Sequence, residues 1–108
     1  MVYVFDIDGT ICTNTNGDYE EAKPFTDIIE SINNLYDNGD TIKMMTARGA
    51  TTGYDWTLLT ENQLTEWGVK YHELIMNKKP YGDVYVDDKA INVNSFNLLF
   101  GNKGNENT

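Results

Sequence analysis

The sequence predicts one α/β domain built on a doubly wound parallel sheet, and three observations carry that prediction. Apolar runs of strand length alternate with segments of helical periodicity, the pattern of strand–helix–strand units with right-handed crossovers. Three of the strand-like runs end in polar clusters: Asp6-Ile7-Asp8-Gly9-Thr10, Thr46-Ala47-Arg48-Gly49 and Asp87-Asp88-Lys89. In a parallel sheet those ends share one edge, where open α/β sheets bind ligands. A length of 108 residues makes one domain with one core.

The first run, residues 2–5, is apolar throughout and reads as a buried strand. Asp6 and Asp8 stand one residue apart at its carboxyl end, and Gly9 breaks the strand. Taken alone this is an Asp-Gly turn. Two carboxylates held so close repel, however, and a divalent cation is the usual remedy. Residues 11–23 are polar. Within them Asn16-Gly17 is the favoured pair for a type I′ turn, which predicts a small β-hairpin over residues 13–19. Its root lies beside Asp8, so it reads as a flap over the site or as a surface loop. Pro24 suits the first position of a helix with Phe25, Ile28, Ile29, Ile32 and Leu35 on its apolar face, ended by Asn38-Gly39. Residues 41–45 form the second strand and residues 49–53 a loop. Asp55 caps a second helix carrying Trp56, Leu59, Leu64 and Trp67 to Gly68. Residues 71–76 and 83–86 are the third and fourth strands. A helix over 94–100 closes the core domain, residues 1–100. The polar stretch 101–108 is expected to be a flexible tail.

Charge and cysteine usage narrow the function. Eight basic against seventeen acidic residues give a net charge of −9, the wrong sign for a general nucleic-acid binder. The one cysteine, Cys12, rules out an internal disulfide and suits a reducing, cytoplasmic location. No basic leader precedes the first strand, and no apolar run approaches membrane-spanning length. The one histidine, His72, lies in or beside a strand without triad partners and reads as structural or exposed. Cys12 lies near the site but has no basic neighbour to activate it, and reads as packing. The aromatic residues of the second helix read as core.

These motifs taken together resemble the haloacid dehalogenase (HAD) superfamily of phosphotransferases. The four stretches that carry the resemblance occur in order: Asp6-Ile7-Asp8-Gly9-Thr10, Thr46 after a strand, Lys79-Pro80, and Asp87-Asp88. The stretch Gly53-Tyr54-Asp55-Trp56-Thr57, with Gln63-Leu64, Trp67-Gly68-Val69-Lys70-Tyr71-His72 and Lys79-Pro80, resembles small capless HAD proteins of surface-polysaccharide biosynthesis. In those a glycine is expected before Lys-Pro, where this chain has Asn77-Lys78. The resemblance implies a Rossmann-like core with strand order 3-2-1-4. The gaps between motifs are too short for a cap domain, so the site is open unless the flap or another subunit of a homo-oligomer covers it.

Phosphoryl transfer needs a nucleophile, charge neutralisation on the phosphoryl oxygens and an acid for the leaving oxygen. Asp6 is the candidate nucleophile, forming an aspartyl-phosphate. Asp8 is the candidate acid, then the base that activates water. The resemblance implies Mg²⁺ held by Asp6 and Asp87 through side chains and by Asp8 through its carbonyl, with Asp88 acting through water. Thr46 and Lys79 would contact the phosphoryl group; whether Lys78 or Lys79 is the motif lysine stays open. Arg48, the chain's one arginine, reads equally as a fork gripping substrate or as a surface ion pair to Asp55 or Glu61. The expected function is a Mg²⁺-dependent phosphomonoesterase acting on a small sugar or polyol phosphate of a polysaccharide pathway. The alternatives are a phosphatase of nucleotides or nucleic-acid ends, and a non-catalytic binding protein that keeps the fold.

Overall fold

A computed structural model describes residues 1–78 and 81–87. Lys79, Asp88, the helix expected over 94–100 and the tail over 101–108 lie outside the described residues. The described elements are β1 (Val2–Asp6), α1 (Thr26–Asp37), β2 (Thr41–Thr46), α2 (Thr57–Glu66), β3 (Glu73–Met76) and β4 (Val84–Val86), with a 3-10 turn at Tyr19–Glu21. The four strands form one parallel sheet in the order β3-β2-β1-β4, as expected. No cap domain is present among the described residues, and none of them forms a helix long and apolar enough to cross a membrane.

The apolar run of β1 makes it the central strand, paired with β2 from Val2–Thr41 to Asp6–Met45 and with β4 from Tyr3–Val84 to Phe5–Val86. Tyr3, Phe5 and Ile7 join the main core with Ile28, Ile29, Ile32 and Leu35 of α1 and Ile42 and Met44 of β2. Each such burial contributes about 1.5–3 kcal/mol over leaving the side chain in water.

Helix α1 begins later than Pro24 predicts. Pro24 is extended, bridged to Cys12, and the Phe25 N–H donates to the Ile11 carbonyl at 2.8 Å. This pairing holds the chain straight until Thr26. The helix ends as read. Asp40 N–H bonds to the Leu35 carbonyl and Gly39 N–H to the Tyr36 carbonyl, a Schellman closure. Helix α2 departs further from its expected apolar face. Of that face Leu64 is fully buried and Trp67 packs against the core, while Trp56 and Leu59 are half-buried; the departure is that the other buried residues, Thr60 and Gln63, are polar. The expected Asp55 cap does not form: Trp56 takes the N-cap position with no side-chain cap bond, and Asp55 only accepts the Thr57 N–H at 2.9 Å, a local turn ahead of the helix.

The loop between β1 and α1 carries its predicted turn at Asn16-Gly17. Both residues have positive φ, 56° and 106°, as a type I′ turn requires, and the Asp18 N–H reaches back to the Thr15 carbonyl. Pairing between the arms stops at the Cys12–Pro24 bridge and the Thr13 N–H to Lys23 carbonyl bond. Beyond that the second arm coils into the 3-10 turn, because Tyr19 is drawn onto α2 rather than onto the opposite arm.

Candidate active site

Asp6 closes β1, and extending the β1–β4 register by one residue sets Asp87 beside it. Neighbouring strands run about 4.8 Å apart, so the two carboxyl-bearing residues are adjacent across the sheet edge. The Asp6 Oδ1 accepts the Ile7 N–H at 2.9 Å. Thr46 closes β2 and is 2% exposed. Its hydroxyl oxygen accepts the Arg48 N–H at 3.1 Å, which leaves its proton to be donated. Asp6 and Thr46 line a cleft of about 360 Å³ with Ala47, Asn77 and Lys78. Asp6 and Thr46 also line a cleft of about 410 Å³ with Asp8, Asn14, Asn16, Thr51 and Thr52. The structure therefore brings Asp6, Asp8, Thr46 and Lys78 to one edge, under the projecting loop.

Gly9 makes this geometry possible. Its φ of 84° turns the chain sharply after Asp8, with Ile7 accepting N–H bonds from Thr10 and Ile11. The turn returns Cys12 to lie parallel against Asp8. The Cys12 thiol is fully buried, 3.7 Å from the Asp8 Oδ1. Contrary to expectation it does have a basic neighbour, an Arg48 terminal nitrogen 4.0 Å from the sulfur, but burial first, and then the Asp8 charge, outweigh it and push the thiol up to about 12, so it stays protonated and serves as packing. His72 is likewise structural. Its Nδ1 accepts the Ile42 N–H at 3.0 Å and its ring stacks on Tyr36.

Arg48 departs from both of its expected roles. It is 1% exposed and makes no pair with Asp55 or Glu61. Its Nε donates to the Asp8 Oδ2 at 3.0 Å and one terminal nitrogen to the Asp8 Oδ1 at 2.9 Å, a two-bond fork. The other terminal nitrogen donates to the Thr60 Oγ1 at 3.1 Å and the Gln63 Oε1 at 2.7 Å. The Tyr19 ring lies 4.7 Å from the guanidinium carbon, and the Gln63 side-chain amide donates to the Tyr19 carbonyl at 2.7 Å. The fork thus grips a carboxylate of its own protein instead of substrate. Burial is the reason: a guanidinium this far from water needs a charge and acceptors around it.

Sequence reasoning passed over Thr60, Gln63, Tyr19 and Asn77. Gln63 stands in the stretch that carries the resemblance but without a role there, and Thr60 and Gln63 are otherwise marked only as polar residues one helical turn apart on the buried face of α2. Asn77 takes φ 61°, a conformation asparagine tolerates better than most residues. Its N–H donates to the Thr46 carbonyl at 2.7 Å, which ties the loop after β3 to the site. Gly49 is required for space. A Cβ there would run into the Tyr54 carbonyl oxygen, so the loop after Arg48 closes only over glycine.

Among the described residues no three acidic, imidazole or thiol groups gather around one point. The expected cation set asks for only two carboxylates, Asp6 and Asp87, with the Asp8 carbonyl. That carbonyl accepts no backbone hydrogen bond among the described residues, whereas the Asp8 carboxylate is held by Arg48. Such an all-oxygen set with few protein donors suits Mg²⁺, which keeps several of its waters.

No protein-family model matches the sequence, and no curated protein matches it. Solved structures do. A structural-genomics target from Vibrio cholerae superposes with a TM-score of 0.69 at 28% identity, covering 89% of this chain and 87% of that one. The D,D-heptose 1,7-bisphosphate phosphatase from B. bronchiseptica, crystallised with magnesium and phosphate, superposes with a TM-score of 0.53 at 18% identity. That match covers 76% of this chain and 51% of the heptose enzyme.

Proposed function

We propose that this chain, which has the fold of the haloacid dehalogenase phosphatases, is a Mg²⁺-dependent phosphomonoesterase acting through an aspartyl-phosphate. The observation that carries the reading is the placing of Asp6, Asp8 and Thr46 at one sheet edge, with Asp87 adjacent to Asp6 by register.

Asp6 attacks phosphorus and the ester P–O bond breaks. Asp8 gives its proton to the leaving oxygen. The Asp8 carboxylate then takes a proton from a water that attacks phosphorus, which releases inorganic phosphate and returns the Asp6 carboxylate. Thr46 donates its hydroxyl hydrogen to a phosphoryl oxygen. Lys79 or Lys78 neutralises phosphoryl charge; of the two, Lys78 is described and lines the Asp6 cleft. Asp6, Asp87 and the Asp8 carbonyl would hold Mg²⁺, with Asp88 contacting it through water. Bound there, the cation would screen the repulsion between nucleophile and phosphate.

A sugar or polyol monophosphate fits the leaving-group side. The larger cleft offers Asn14, Asn16, Thr51 and Thr52, uncharged groups suited to hydroxyls. Arg48 is engaged with Asp8 and so offers nothing to a second anionic group. The test is phosphate release with Mg²⁺ from a panel of sugar, polyol and nucleotide monophosphates plus a simple aryl phosphate. The reading expects the sugar and polyol esters to lead. Failure to hydrolyse any ester, the aryl phosphate included, would overturn it.

A further inference from the structure

We infer that Arg48 positions the Asp8 carboxylate for proton transfer and that Tyr19, on the projecting loop, holds Arg48 in that pose. The inference rests on the phosphatase reading of Asp8 and adds a positioning pair to it. Every edge of the guanidinium is used. One edge forks onto both Asp8 oxygens, and the other meets Thr60 and Gln63. One face lies on the Tyr19 ring. The ring is braced edge-on by Trp56 at 5.0 Å, and the Tyr19 carbonyl is held by Gln63. A carboxylate followed by the Gly9 turn would otherwise rotate freely; the planar fork fixes its plane, which a lysine's single point of charge cannot do.

The geometry also separates the two carboxylate oxygens. Among the described residues Oδ1 takes a guanidinium nitrogen and faces the Cys12 thiol, whereas Oδ2 takes only Nε. Oδ2 therefore keeps a lone pair for the proton that passes to the leaving oxygen. The Asp8 side chain is 19% exposed toward the cleft while the Arg48 side chain is sealed, so the pair is open on the acid side only. A merely stabilising buried pair has no need of a fork, because well-packed apolar side chains of similar volume serve stability as well or better. Tyr19 lines the same cleft as Asn14 and Asn16, so movement of the loop reaches Asp8 through one stacked ring.

The experiment is a series of phosphomonoesters whose leaving groups run from acidic phenols to alkyl alcohols, measured for wild type, Arg48→Lys, Tyr19→Leu and Tyr19→Phe. Good leaving groups need no proton, so misplacing the acid should cost little on the most acidic aryl ester. On alkyl esters Arg48→Lys should lower kcat by roughly 10- to 100-fold with KM nearly unchanged. Tyr19→Leu should steepen the leaving-group dependence in the same sense but less, and Tyr19→Phe, which keeps the ring, should recover the wild-type slope. Equal losses on all esters, or a rise in KM, would place Arg48 on substrate and overturn the inference. A lowered melting point with an unchanged slope would reduce the pair to structure and overturn it too. Should Arg48→Lys fail to fold, the half-buried Tyr19 variants decide alone. A wild type inert toward every ester would overturn the phosphatase reading and this inference with it.

Discussion

Asp8→Asn removes one charge from a pair whose other member is sealed in the protein. The substitution keeps the shape and the backbone carbonyl but leaves Arg48 with a neutral partner. One of the two fork bonds, at 2.9 and 3.0 Å, then meets an amide N–H instead of an oxygen. Breaking a buried pair from one side costs about 3–5 kcal/mol, and the partial exposure of Asp8 argues for the lower end, about 3. At about 4 °C per kcal/mol for a chain of this size, the melting point should fall by about 12 °C. Proton transfer should suffer separately, by roughly 10²- to 10⁴-fold in kcat on an alkyl phosphate. Thermal melting followed by circular dichroism, and phosphate release with Mg²⁺ at a temperature where both proteins are folded, read the two effects independently. An unchanged melting point would refute the buried pair as a source of stability. Wild-type turnover of an alkyl ester would remove Asp8 from the chemistry.

Excess chelator should stop phosphate release and Mg²⁺ restore it, whereas Ca²⁺, with its larger and looser shell, should inhibit; full activity in chelator would refute the metal assignment. Shortening the loop around Asn16-Gly17 should reduce kcat/KM for the natural substrate more than for a small aryl phosphate, and equal effects would make the loop a bystander. Gly49→Ala should destabilise the protein by more than about 1 kcal/mol in denaturant unfolding, because the residue holds φ 86° and has no room for a Cβ against Tyr54; a neutral result would mean that the loop after Arg48 rearranges freely.

Much of this molecule is legible in its sequence because apolar runs and strand-end motifs report directly on a parallel sheet. The carboxyl-edge meeting of Asp6, Asp8 and Thr46 and the Schellman end of α1 follow from such local signals, whereas the strand order is implied by the family resemblance. The errors share one cause. By its own chemistry Arg48 reads as a substrate-gripping fork or a surface ion pair, and α2 as a helix whose buried face is apolar throughout. Each judgement treats a residue by its own chemistry, whereas burial of Arg48 depends on partners 12, 15 and 40 residues away. Thr60 and Gln63 are buried because Arg48 is there to satisfy them, and no periodicity encodes that. The start of α1 shifts for a similar reason: Pro24 permits a helix, but the long-range bonds to Ile11 and Cys12 decide against one.

The proposed chemistry stands or falls with Asp6 as the nucleophile. Enzyme mixed with substrate and Mg²⁺, quenched in acid and reduced with borohydride, should carry its mark where the acyl-phosphate stood. Peptide mass spectrometry reads that position, since reduction converts a phosphorylated aspartate to homoserine. Homoserine is expected at residue 6 alone, enriched in Asp8→Asn if the second step is the slower one, with no phosphate released by Asp6→Asn. Homoserine at another position, or sustained turnover by Asp6→Asn, would contradict it.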